Sequence, residues 1–118
     1  MYKIAADIFR KRFLIEGYFK RFVDEKVITG FFTHFTKELS LKTYGDPIVH
    51  TTSGVGKDVN QGFDAFIPLI DSGIYLAVWS NQKFFSLIIY TCKDFDEQKA
   101  LGLTKNYFIV TESEHKLF

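Results

Sequence analysis

The sequence predicts a two-layer α+β domain in which an antiparallel or mixed sheet carries two helices on one face. Between residues 62 and 96, three apolar runs of strand length follow one another. Only the polar breaks Asp71-Ser72-Gly73 and Ser80-Asn81-Gln82-Lys83 separate them. Short runs rich in Ile, Val, Phe and Tyr, bounded by Gly, Asp, Ser and Asn, form consecutive strands joined by tight turns. Ahead of this meander, Val27, Ile28, Phe31, Phe32, Phe35 and Leu39 recur at spacings of three and four residues. Such spacing is one face of a helix about four turns long. Two helices cover only one face of such a sheet. Phe63, Tyr75 or their neighbours are then left facing solvent, and a second copy of the chain is the simplest cover, which predicts a homodimer.

Taken in order, residues 12–20 alternate, with Phe13, Ile15, Gly17 and Phe19 on one side and Leu14, Glu16, Tyr18 and Lys20 on the other. This is a strand with one apolar side. Asp24 and Glu25 place negative charge where a helix N-terminus favours it. Gly30, inside the helix, costs about 1 kcal/mol against Ala, which points to a neighbour that needs close approach. Gly45-Asp46-Pro47 closes the unit, because the residue before proline is pushed out of the helical region. Residues 48–52 form a short strand and residues 53–62 a glycine-rich loop. After the meander, Asp94 caps a second helix with Glu97 as its partner three residues on. Gly102 ends that helix after barely two turns. Residues 107–110 form a last strand, and residues 111–118 a polar, frayed tail.

The 118 residues constitute a single domain with 47% apolar and 25% charged side chains, the balance of an ordinary soluble protein. Fourteen phenylalanines imply a core of large flat rings or an aromatic surface kept for a partner. A net charge of +1 gives no electrostatic case for nucleic acid or an acidic membrane. The single cysteine fits a reducing compartment. With no apolar run of spanning length and no secretion signal, the expected location is the cytoplasm.

Few residues offer chemistry. The glycines around Lys57 do not form a phosphate loop, since Thr51 and Asp58 stand where glycine and a hydroxyl are needed. His34, His50 and His115 share no chelating spacing, so no metal is expected. Cys92 reads as a small buried residue at a strand end, or as a thiol that exchanges a proton if it is partly exposed. Asp71-Ser72-Gly73 in isolation is a good hairpin turn.

Together these segments resemble the bacterial and archaeal class of S-adenosylmethionine decarboxylases, small pyruvoyl enzymes of spermidine synthesis. The resemblance covers residues 12–110. It is strongest at Leu69-Ile70-Asp71-Ser72 leading into Ile74 and Trp79, and at Ile89-Tyr90-Thr91-Cys92-Lys93-Asp94-Phe95-Asp96 with Lys99-Ala100. The spacing from serine through tryptophan to cysteine is gapless. In that family the chain cuts itself between an acid and a serine, and the serine becomes a pyruvoyl group that serves as an electron sink. The resemblance puts Asp71 and Ser72 at the cleavage point and Cys92 at the position of the proton donor. Gly73 and Ala77, however, stand where the family has histidines. Ser80 and Asn81 replace a proline and a glutamate, Ile88 replaces an acid, and an assisting serine falls near Asp64. Loss of one general base typically costs about a hundredfold to ten-thousandfold in rate.

The resemblance therefore implies a divergent homologue that does not process itself and carries no cofactor. Its expected role is binding a ligand such as S-adenosylmethionine, with Trp79 and Phe63 lining the site, or regulating a partner in polyamine metabolism. The alternative is an active decarboxylase of S-adenosylmethionine or a related amine, with pyruvoyl from Ser72 and Cys92 as proton donor. A further alternative is a protein-interaction module without enzymatic activity.

Overall fold

The computed structural model describes residues 3–52 and 61–118. Its elements are β1 (Lys11–Phe19), α1 (Glu25–Glu38), β2 (Ile48–Thr51), β3 (Gly62–Leu69), β4 (Ser72–Trp79), β5 (Phe84–Thr91), α2 (Glu97–Phe108) and β6 (Val110–Leu117). The strands form one sheet in the order β2-β3-β4-β5-β1-β6. Every neighbouring pair is antiparallel. The expected α+β class is the observed one. The glycine-rich loop expected at residues 53–62 lies largely outside the described residues.

Alternation along the strands decides which side chains meet the helices. Phe13 and Ile15 of β1, Ile74 and Leu76 of β4, and Leu87 and Ile89 of β5 are all buried and share one face through the pairings Phe13↔Ile89↔Ile74 and Ile15↔Leu87↔Leu76. Phe31, Phe32 and Phe35 of α1 and Phe108 of α2 close that core from above and are fully buried. The Phe108 ring lies 4.7 Å from Phe31, 5.6 Å from Phe85 and 6.2 Å from Phe19. Gly30 fulfils its expected part. A Cβ there would come within 2.8 Å of the Tyr107 hydroxyl, which donates to the Val27 carbonyl at 2.7 Å. The bare helix turn thus lets α2 dock on α1.

Phe63 corrects the sequence reading of the uncovered face. It pairs with buried Val78 and packs against the core, on the helix side. Tyr75, 40% exposed, does lie on the open face, in a row with Phe66 and Ile88.

The C-terminal third departs most from expectation. The cap of α2 is Asp96, whose carboxylate accepts the Gln98 and Lys99 amides at 3.0 and 3.1 Å. Asp94 instead meets the Lys11 ammonium at 2.9 Å. Gly102 does not end the helix, because Ala100, Thr104 and Phe108 continue a buried stripe at four-residue spacing. Burying such a stripe outweighs the roughly 1 kcal/mol that one glycine costs. The helix stops at Ile109, in the left-handed region at φ 55°. Residues expected to form a frayed tail are β6, an edge strand paired along β1 from Phe19↔Val110 to Phe13↔Leu117. Its polar sequence suits an edge with little to bury.

Lys11 begins the apolar side of β1 yet is charged and only 8% exposed. Its ammonium donates to Asp94, to the Phe95 carbonyl and to Glu97, so β1 is tied to the entry of α2. Burial alone would lower its pKa, but the hydrogen bonds to Glu97 and Asp94 prevail and raise it. The hydrogen bond from Lys11 correspondingly holds Asp94 and Glu97 below their ordinary values.

Two outcomes follow from this packing. A Cβ on Gly17 would lie 2.4 Å from the Glu112 carbonyl oxygen and 3.1 Å from the Ser113 Cα, both backbone atoms. Gly17→Ala should therefore destabilise the protein by about 1–3 kcal/mol in denaturant unfolding, through displacement of β6. The depressed carboxylates of Asp94 and Glu97 contribute stability that is present above their unfolded pKa values and lost as pH falls through the lower folded ones. Melting curves should show an acid-side loss beginning below about pH 4. Lys11→Met should flatten that loss relative to the wild-type protein, and an unchanged acid limb would count against the pairing.

Candidate functional site

The β3–β4 hairpin turns on two residues, Ile70 and Asp71, so Ser72 and Gly73 belong to β4 and not to the turn itself. Asp71 takes φ 56°, a left-handed conformation that aspartate tolerates better than most residues. The chain leaving α1 is fastened beside this turn. The Ile70 amide donates to the Lys42 carbonyl and the Tyr44 amide to the Pro68 carbonyl, each at 3.2 Å, and Thr43 bridges to Leu69.

Ser72 and Cys92, twenty positions apart, meet at the end of the β4–β5 pair. The Cys92 amide donates to the Ser72 hydroxyl oxygen at 3.0 Å. Beside them the Thr91 hydroxyl donates to the Lys93 carbonyl, and the Lys93 ammonium reaches the Ser40 carbonyl at 2.8 Å. Between the turn, the segment after α1 and the end of β5 lies a cleft of about 430 Å³. Asp71, Ser72 and Cys92 all line it, so three of the residues singled out in the sequence are brought together. That volume lies within the range of small-ligand pockets. The Cys92 thiol is free and half-buried.

The aromatic residues expected to hold a ligand stand elsewhere. Trp79 ends the strand that Ser72 begins, about 23 Å away at the rise of a β-strand. Its indole lies 5.5 Å from Phe84. Phe63 belongs to a second cleft of about 320 Å³ at that far end of the sheet, with Phe19 and Lys83.

Ala77 and Ile88 occupy the open face, paired with Asp64 and Tyr75 respectively. Ile88 and Gly73 line a further cavity there of about 420 Å³, which Asp71 and Ser72 also border. Ser72 has the opposite parity along β4, that of the core residues Ile74 and Leu76. Near Ala77 the titratable pair is Tyr75 and Asp64, joined by a 3.0 Å hydrogen bond from the Tyr75 hydroxyl. Partial burial, then the Asp64 bond and charge, raise the tyrosine pKa and keep it neutral. The three histidines fall on α1, on β2 and on β6. Among the described residues no group of three or more metal-binding side chains gathers, and no helix is long and apolar enough to cross a membrane.

Sequence reasoning missed Lys42 and Lys93 as cleft residues. Lys93 was visible beside Cys92, but Lys42 reaches the cleft only because the segment after α1 is bonded to the hairpin.

No family model matches the sequence, and no curated protein matches it either. The fold does have a solved counterpart. The adenosylmethionine decarboxylase from Aquifex aeolicus superposes with a TM-score of 0.74 over 94% of this chain and 89% of its own, at 13% sequence identity. What the two chains share at that identity is the fold, a six-stranded antiparallel sheet backed by two helices.

Proposed function

We propose that this chain is an unprocessed, ligand-binding relative of the adenosylmethionine decarboxylases, acting as an intact polypeptide beside polyamine metabolism. The observation that carries this reading is the surroundings of Ser72. Its oxygen accepts the Cys92 amide, while Gly73 and Ile88, which share a cavity with it, and Ala77 further along the strand carry no group that can take a proton. Conversion of a serine to a pyruvoyl group needs its hydroxyl to attack the preceding carbonyl and a base to take the α-proton. Methyl and butyl side chains cannot take it, and Gly73 supplies no side chain at all. The residues present do not fit the formation of that group. The cleft beside the turn is what survives, with a volume and an apolar floor suited to a small molecule.

The same reading includes pairing with a second copy through the open sheet face. Phe66, Tyr75 and Ile88 form a cross-strand row there, and Phe66 and Tyr75 are 38% and 40% exposed. A row of large apolar side chains on an uncovered sheet is the kind of surface that association buries.

Intact-protein mass spectrometry should return a single full-length chain. Two fragments meeting between Asp71 and Ser72, the second bearing a pyruvoyl end, would establish the active decarboxylase instead. In light scattering after gel filtration the wild-type protein should run as a dimer. Ile88→Lys should convert it to a folded monomer with unchanged circular dichroism. A wild-type monomer, or a variant still dimeric, would exclude this face as the interface.

A further inference from the structure

The cleft at the β3–β4 turn holds an excess of hydrogen-bond donors. Lys42, Lys93, Ser72 and Cys92 line it against one carboxylate, Asp71, over a floor that includes Leu69 and Ile70. An ammonium group has three donors and no acceptor. Lys93 directs one of its donors to the Ser40 carbonyl, beside the cleft-lining Leu41, and has two more to give. The Ser72 hydroxyl accepts the Cys92 amide through one lone pair and keeps its own O–H as a donor. The acids next along the chain, Asp94 and Glu97, are engaged by Lys11. The residues lining the cleft thus include two lysines against one carboxylate, with neutral donors beside them.

We infer that this cleft binds a small molecule of net negative charge, a carboxylate or a phosphate monoester, with a short apolar body against Leu69 and Ile70. This inference rests on the reading of the cleft as the ligand site of an intact chain, and it narrows the ligand class. An oxyanion accepts from both ammonium groups and from the Ser72 hydroxyl in charge-assisted hydrogen bonds. S-adenosylmethionine also bears a carboxylate, but its sulfonium and ammonium groups give it a net positive charge, with Asp71 alone to offset them beside two lysines. The ligand class suggested by the resemblance and the class suggested by the cleft therefore differ in the sign of their net charge.

The test is amide NMR of ¹⁵N-labelled full-length protein, titrated separately with sodium phosphate and sodium acetate at ionic strength held constant with sodium chloride. Saturable millimolar shifts of the Ser72, Cys92 and Lys93 amides are expected with at least one anion, and the tighter of the two tells a phosphate from a carboxylate ligand. The double variant Lys42→Ala/Lys93→Ala should bind at least about tenfold more weakly. The charge-preserving Lys42→Arg/Lys93→Arg pair should retain binding, as should Lys26→Ala at the start of α1. Non-saturating drift with both anions would overturn the inference. So would saturable binding indifferent to the alanine pair, or tighter binding of S-adenosylmethionine at the same amides. The intact mass of the same sample separates the two levels. A full-length chain without anion binding sinks the oxyanion assignment alone, whereas a cleaved chain removes the reading beneath it.

Discussion

Everything in this fold leans on one aromatic contact, the Phe108 ring seated among Phe31, Phe85 and Phe19. It joins α2, α1 and the sheet at one place. A fully buried phenylalanine contributes about 1.5–3 kcal/mol relative to an exposed one, with more from ring pairs. Several local choices become intelligible from it. Gly30 is bare so that Tyr107, the neighbour of Phe108, can reach the Val27 carbonyl. Gly102 is tolerated inside α2 because the stripe it interrupts ends on that ring. Ile109, a β-branched residue, is held at positive φ just after it, a costly backbone conformation that the surrounding packing sustains.

Covering one face of a sheet this firmly has consequences for the other face and for its ends. The open face keeps an exposed row of rings and aliphatic side chains. At the ends, turns and connecting segments cannot pack as densely as the core does, and clefts form where they meet. The cleft at the β3–β4 turn is shaped by backbone bonds from the segment after α1, so its walls come from parts of the chain that are distant in sequence. Ser72 and Cys92 are neighbours there because adjacent antiparallel strands bring their ends together.

The likeness to the Aquifex aeolicus enzyme is a likeness of architecture, at 13% identity. An architecture can persist while its chemistry is removed, because packing tolerates substitution among apolar residues of suitable volume, and proton transfer tolerates far less. Side chains such as those of Ile88 and Ala77 suit a strand and cannot carry a proton.

Much of the fold was legible in periodicity alone. The alternation around Phe13 and Ile15, the three-and-four spacing from Val27 to Leu39, and the turn residues of the meander each reflect a local rule, so the first strand, the first helix and the hairpin-connected strands could be read from them. The proximity of Ser72 to Cys92 was legible only through a family resemblance. The end of the chain was not legible, for physical reasons. Gly102 and Ile109 obey neither helix-end rule, because burial of Phe108 overrides local propensity. β6 looks like a tail because an edge strand with polar side chains is stabilised by backbone bonds to β1, which leave no pattern in side chains. Lys11 looks out of place on an apolar strand side until Asp94 and Glu97, more than eighty residues on, arrive beside it. The sequence by itself determined the meander, the first strand and the first helix, because each follows a local periodicity. Only the tertiary structure decided which residues line the cleft, since Lys42 and Lys93 are brought there by long-range contacts that no local pattern encodes.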